Sequence, residues 1–305
     1  MQGLKADGVP DKAPTLTISY EPTFQYASLD TGINMAYVLL GSSEDPPVML
    51  LHGATDSYLS FSQVAPRLAN AGYYVIVPEL RGHGHTDKPL SGPYTVSMHA
   101  ADINALLAQL DLSGVHIVGH SMGSFTAQYV AAAYPDRAAS LTLIGTSGRI
   151  AGNETMAWIL EGDGEFLGIN HVTELTDDFL RAWIASSNYD DIFVQKLYES
   201  VAQLSVPIWD NIFNGIDIGE LADPSAITIP VQIIWGTEDN FFSKDDQLDL
   251  IARLGSSRIE FLTKAGIGHN MHWEGHLDEE ITADILRFLS APQALYTQPL
   301  LTPKR

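Results

Sequence analysis

Val118-Gly119-His120-Ser121-Met122-Gly123 is the stretch whose reading decides the fold. An apolar, β-rich run at residues 114–118 leads into it, and a run with helical spacing at 124–134 leaves it. A strand, a sharp turn and a helix with Gly-x-Ser-x-Gly at the bend form a nucleophile elbow, which lifts a serine onto a strained tip with its hydroxyl exposed. Gly119 and Gly123 lack a Cβ, so the backbone can pass close to itself there. The five-residue pattern alone equally describes an ordinary Gly/Ser turn, so its surroundings must carry the reading.

Those surroundings alternate. Residues 15–29 and 33–40 are β-rich and separated by the turn signal Asp30-Thr31-Gly32. Val48-Met49-Leu50-Leu51 is a continuous apolar run, as in a strand buried on both faces of a parallel sheet. Residues 61–71 have helical spacing and stop at Gly72, and 73–78 read as a second buried strand. Residues 96–112 carry an apolar helical stripe of Ala101, Ile103, Leu106, Leu107 and Leu110. After the elbow helix, 138–144 is the next strand. Short connections between alternating strands and helices predict an α/β fold with a mostly parallel central sheet covered on both faces.

The alternation breaks near Gly145. Residues 146–224 hold no clear buried strand but carry helical pieces and many aromatics, among them Trp158, Phe166, Trp183 and Trp209. They read as a helical insertion. The pattern resumes with strands at 231–235 and 258–263 and helices at 244–254 and 278–289. The expected organisation is a core of 15–145 and 225–290, a helical cap at 146–224, and terminal extensions at 1–14 and 291–305.

Composition narrows the function. The 305 residues are 45% hydrophobic and 17% charged, which fits a globular chain with a sizeable core. The net charge of −21 argues against nucleic acid or an anionic membrane as partner, because phosphates are repelled. With no cysteine, disulfides, thiolate catalysis and cysteine-ligated metals are excluded. No apolar run is long enough to span a bilayer, and the first 16 residues lack the apolar stretch of a signal peptide, which favours a cytoplasmic protein. Acidic clusters at 161–165, 174–178, 245–249 and 278–284 read as solvated faces rather than metal sites.

A serine hydroxyl needs a base within reach, and the base needs an acid to orient it. Asp239, in Trp235-Gly236-Thr237-Glu238-Asp239, follows the carboxyl end of a predicted strand, the edge where sites assemble in open α/β sheets. Glu238 is its competitor. His269, in Gly266-Ile267-Gly268-His269-Asn270-Met271-His272, follows the last strand, with His272 as rival. His269, His272, Glu274 and His276 also form a ligand-type cluster, but no second cluster supports it, and no metal is expected. The oxyanion formed by attack on a carbonyl needs preorganised donors. The Met122 N–H at the helix start is one, and the Ala54 N–H after the Val48–Leu51 run is the positional choice for the second. Asp56 and Ser57 are candidates either to bind substrate or to cap the following helix, and the cap is the preferred reading. His83 and His85 read as structural loop residues. His120, Trp158, Trp183, Trp209 and His272 are the candidate substrate contacts.

Taken together, Leu51-His52-Gly53, Arg81-Gly82-His83-Gly84, the elbow, the Asp239 segment and Gly268-His269 with Glu274 resemble the α/β-hydrolase family over residues 30 to 290. The likeness is nearest to the branch of serine esterases, lactonases, haloperoxidase-like enzymes and C–C hydrolases. Glu79 stands where relatives often have Asp. The resemblance implies Ser121 as nucleophile, Asp239 as acid and His269, not His272, as base. It also implies a cap domain and no metal or organic cofactor. A serine nucleophile disfavours the haloalkane dehalogenase and epoxide hydrolase branches, which attack through Asp. The expected activity is cleavage of a carboxylic ester or lactone of a small, moderately hydrophobic molecule through an acyl-enzyme. C–C hydrolysis of a dienoate, with Arg149 or Arg181 as carboxylate anchor, cofactor-free haloperoxidase or perhydrolase chemistry, and a ligand receptor on a hydrolase fold are the alternatives.

Overall fold

A computed structural model describes residues 19–150, 152–161, 169, 172–184, 191–274 and 277–291. The expected features at Phe166, at His276, at 1–14, and in the tail beyond 291 lie outside the described residues.

Eight strands form one sheet: β1 (Gln25–Ser28), β2 (Asn34–Leu40), β3 (Pro47–Leu51), β4 (Tyr74–Pro78), β5 (Val115–His120), β6 (Ala138–Ile144), β7 (Val231–Gly236) and β8 (Ile259–Lys264). Their order is β1-β2-β4-β3-β5-β6-β7-β8. β1 and β2 pair antiparallel at one edge, β2 also meets β4 antiparallel, and every other pairing is parallel. Parallel neighbours need crossover helices, and these cover both faces, which is why β5 and β7 are buried along their whole length. The helices in chain order are α1 (Val64–Asn70), α2 (Val96–Gln109), α3 (Met122–Ala133), α4 (Glu154–Glu161), α5 (Asp177–Trp183), α6 (Asp191–Val201), α7 (Val206–Asp217), α8 (Lys244–Arg253) and α9 (Asp278–Ser290).

Two differences from the sequence reading have local causes. The helix expected over 61–71 is a 3-10 turn at Tyr58–Phe61 followed by α1, because Ser57 caps the turn by accepting the Leu59 N–H. The β-rich start reduces to β1, since within the described part of 15–29 only Gln25–Ser28 finds a partner in β2.

Polar residues inside central strands are tied into one belt. His116 on β5 meets Ser140 and Thr142 on β6 at 2.7 and 3.1 Å. Thr142 donates to Gln232 on β7, and Gln232 donates to Glu260 on β8. A fully paired belt avoids the cost of a buried orphan group and fixes the register of four strands.

The carboxyl ends of β3, β5, β7 and β8 all open on one edge. α4 to α7, within the segment between β6 and β7, lie over it, and α5 and α7 pack through an aromatic group. Trp209 meets Trp183 and Phe213 at ring separations of 5.3 and 4.9 Å. The Trp183 indole N–H donates to the Thr55 hydroxyl at 2.7 Å, joining α5 to the loop after β3.

Candidate active site

Ser121 sits between β5 and α3 with φ 51° and ψ −121°, a left-handed conformation that a non-glycine residue adopts at a cost. The surrounding bonds hold it there. Its N–H donates to the Ile144 carbonyl at 3.0 Å, and its own carbonyl accepts the Ser124 N–H at 2.8 Å. The tight turn depends on both glycines. A Cβ on Gly119 would lie 2.4 Å from the Gly123 oxygen, and one on Gly123 would lie 2.1 Å from the Leu51 oxygen. These are backbone atoms of neighbouring elements, so neither position tolerates a side chain without moving the sheet.

His269, in the loop after β8, turns its Nδ1 to the carboxylate of Asp239, at 3.1 and 3.0 Å from the two oxygens. A carboxylate accepts, so Nδ1 carries the proton and Nε2 is the lone-pair nitrogen. Nε2 is buried and has no hydrogen-bond partner. The Asp239 side chain is wholly buried, and its Oδ1 accepts the Phe241 and Phe242 N–H groups at 2.8 and 3.1 Å. These backbone donors leave the carboxylate aimed at His269. Phe241 stacks on the imidazole at 4.5 Å. Gly236 allows the two loops to meet, because a Cβ there would lie 2.3 Å from the Ile267 oxygen. The Glu238 N–H then donates to that oxygen at 2.9 Å.

The competitors are placed differently. Glu238 is exposed, and the carboxylate that reaches His269 is that of Asp239. His272 is wholly buried, its Nε2 lies 2.7 Å from the Ser60 hydroxyl, and its ring packs on Phe61 at 4.9 Å.

Ser121, His269, Ala54 and His120 share the wall of a cavity of about 430 Å³ under α5, α6 and α7. Trp183 lines it. The expected contacts Trp158, Trp209 and His272 do not. Trp158 is 59% exposed on α4, Trp209 is wholly buried among Phe179, Trp183 and Phe213, and His272 lies behind the wall. Helical spacing tells which residues share a face, but not which face looks into a cavity.

The 53–56 loop is built by histidines. His83 Nε2 accepts the Thr55 N–H at 3.0 Å while its Nδ1 donates to the Arg81 carbonyl at 2.9 Å. His52 Nε2 accepts the Leu80 N–H at 3.0 Å while its Nδ1 donates to the Gly53 carbonyl at 2.8 Å. Each imidazole is neutral with a fixed tautomer, and burial holds both pKa values down, that of His52 to about 4. Glu79, the departure from the family pattern, accepts the Tyr58 N–H at 3.3 Å and the His85 N–H, so the longer side chain spans both loops. Among the described residues the Ala54 and Met122 N–H groups are engaged in no hydrogen bond given to a loop or turn acceptor.

Asp56 was read as a cap in preference to a substrate contact; its Oδ1 does accept the Ser57 N–H at 2.8 Å, and it also lines the cavity. Burial pushes its carboxyl up to about 7. Glu274 lines the cavity as well, accepts the Gly268 N–H at 3.1 Å and is raised by burial. With Nδ1 of His269 committed to Asp239 and Glu274 to Gly268, the 269–276 segment does not gather as a metal site among the described residues. The donor groups that do gather are Asp56, His120 and His272.

The chain belongs to the α/β-hydrolase fold family, whose model matches residues 46–276. It is 27% identical to a 2-hydroxy-6-oxononadienedioate/2-hydroxy-6-oxononatrienedioate hydrolase of Pseudomonas putida, over 82% of this chain and 90% of the relative. It is 25% identical to a 3-oxoadipate enol-lactonase of Acinetobacter baylyi, over 81% of this chain and 92% of that one. The solved enol-lactonase from Burkholderia xenovorans LB400 shares the fold at a TM-score of 0.72 and 19% identity, covering 88% of this chain and all of that one. No helix among the described residues is long and apolar enough to cross a membrane.

Proposed function

We propose that this chain is a serine hydrolase that cleaves a carboxylic ester or lactone of a small, uncharged, moderately hydrophobic molecule. The observation that carries this reading is the Asp239–His269 pair on one cavity wall with the Ser121 elbow. Residues 146–224 act as a cap over a core of 15–145 and 225–290. His269 Nε2 takes the Ser121 hydroxyl proton as Oγ bonds to the carbonyl carbon. The negative oxygen of the tetrahedral intermediate is met by the Ala54 and Met122 N–H groups. His269 returns the proton to the leaving alkoxide, giving alcohol and acyl-enzyme. Water then adds to the acyl carbon, gives its proton to the same nitrogen, and Ser121 leaves as the free hydroxyl with the acid released.

Charge distinguishes this from the dienoate reading. The relatives' named substrates, a nonadienedioate and an oxoadipate lactone, are carboxylates. Among the described residues no Lys or Arg lines the cavity, whereas Asp56, Glu238 and Glu274 do. Residues 146–224 contain three basic side chains, Arg149, Arg181 and Lys196. Arg149 lies 3.7 Å from Asp249, Arg181 stacks over Tyr198 at 4.2 Å, and Lys196 pairs with Glu21 at 2.8 Å. A carboxylate substrate would enter an acidic cavity with no counter-charge. In a panel of p-nitrophenyl acetate and butyrate, simple lactones and ring-fission dienoates, the neutral esters or lactones are expected to show kcat/KM at least about 10-fold above any carboxylate-bearing member. A dienoate preferred over every neutral ester would overturn this choice.

A further inference from the structure

Three side chains beside Ser121 bring ligand-type atoms together. Asp56, His120 and His272 each offer one ligand atom, and these atoms lie within 4.8 Å of one another. His120 Nε2 is 3.2 Å from the His269 carbonyl, which only accepts, so Nε2 holds the proton and Nδ1 the lone pair. That Nδ1 is buried without a hydrogen-bond partner, and so is Nδ1 of His272. The Ser60 hydroxyl lies 2.7 Å from His272 Nε2. When Ser60 accepts from His272 Nε2–H, the free lone pair is on Nδ1. The two imidazoles are 3% and 0% exposed, and their rings pack at 4.3 Å. Two buried nitrogens left without a donor are costly, and no Lys or Arg among the described cavity-lining residues relieves them.

We propose that Asp56, His120 and His272 form a binding site for one divalent transition-metal ion of the zinc class, whose occupancy blocks the cavity beside Ser121. Two neutral imidazoles and one carboxylate are the donor set of zinc, cobalt, nickel and copper rather than of magnesium or calcium. Bonds of about 2.0–2.2 Å bring such ligands to roughly 3.4 Å from one another, so the group must contract on binding. Asp56, which is only partly buried, supplies that movement. Asp56 and His120 both line the cavity, so an ion reaches the site by the substrate's route and then occupies part of its space. This inference does not depend on the identity of the ester.

The test uses the full chain, stripped with chelator and dialysed. Zinc chloride is titrated calorimetrically, and cobalt chloride is followed by its visible absorption. One site per chain with a Kd of about 10 µM or tighter is expected, with magnesium failing to compete. Asp56→Asn and His272→Gln are each expected to weaken zinc at least about 10-fold, while Glu44→Gln on an exposed loop leaves it unchanged. Circular dichroism checks that each variant folds, and if one does not, the other decides. No zinc binding up to millimolar concentration, or binding equal in wild type and both variants, refutes the site. The second outcome would identify scattered surface carboxylates as the ligands.

Discussion

Ser121→Ala is expected to lower kcat for the best neutral ester by about 100,000-fold or more, with the protein folded and KM little changed. Loss of a nucleophile removes the covalent route entirely, leaving only what positioning and the oxyanion donors contribute. His269→Ala should fall into the same range, because His269, oriented by Asp239, is the base proposed for the hydroxyl. The double variant should be hardly worse than either single one, since the two act as a unit. His272→Ala separates the rival. It removes a buried residue behind the cavity wall that is hydrogen-bonded to Ser60, and it should cost far less kcat than His269→Ala. Steady-state kinetics on purified variants of matched circular dichroism decide this, and a ranking with His272 as the more damaging loss contradicts the assignment of the base.

The second large effect is on stability. Acidification from pH 7 towards pH 4 should unfold the protein cooperatively. Burial lowers the pKa of His52 to about 4 and of His99 and His116 to about 3, and holds His83, His120 and His272 well below the ordinary value. The sign follows from linkage. The unfolded chain protonates these imidazoles near pH 6.5 and the folded chain does not, so their contribution is intact above pH 6.5 and is lost as pH falls towards 4. Each such histidine costs about 1.4 kcal/mol per pH unit in that window. Several together reach the ordinary stability of a domain, about 5–15 kcal/mol, within two or three pH units. Asp56 works the other way, since burial raises its carboxyl to about 7 and the folded chain binds that proton first. Relief of the negative net charge opposes unfolding too, but the histidines outnumber these terms. Urea midpoints measured between pH 7.5 and 4.5 should fall steeply below pH 6.5. A midpoint that is flat across that range would mean that the buried imidazoles are charged in the folded protein.

Much of this architecture is legible in the chain because its signals are local. Val48–Leu51 is apolar without interruption, and Val115–Val118 and Val231–Trp235 are apolar but for the paired His116 and Gln232, as suits doubly covered strands. Gly119 and Gly123 flank Ser121, whose backbone is held at φ 51°. The family resemblance added the choice of His269 over His272. Spacing alone could not supply it, because both follow the same strand, and their difference lies in Asp239 and Ser60, which are distant in sequence. Glu238 and Asp239 pose the same problem one residue apart. What separates them is the pair of N–H groups from Phe241 and Phe242 that fixes Asp239.

The cavity was the least legible part. Trp158, Trp183 and Trp209 are alike in composition, yet one faces solvent, one faces the cavity and one is core. Their roles depend on how helices cross, which the sequence encodes only through long-range packing. Asp56 shows the same limit. An acid before a short helix reads as a cap, and it does accept a backbone N–H, but it also faces the cavity. Thr55 is likewise held by His83, 28 residues away.

The central claim is that Ser121 is an activated nucleophile. The direct measurement is labelling of the full chain with a fluorophosphonate, followed by peptide mass spectrometry. One equivalent of probe is expected on the peptide bearing Ser121, with none on Ser121→Ala and slow labelling of His269→Ala. Failure to label the folded wild type, or equal labelling of Ser121→Ala, would contradict it.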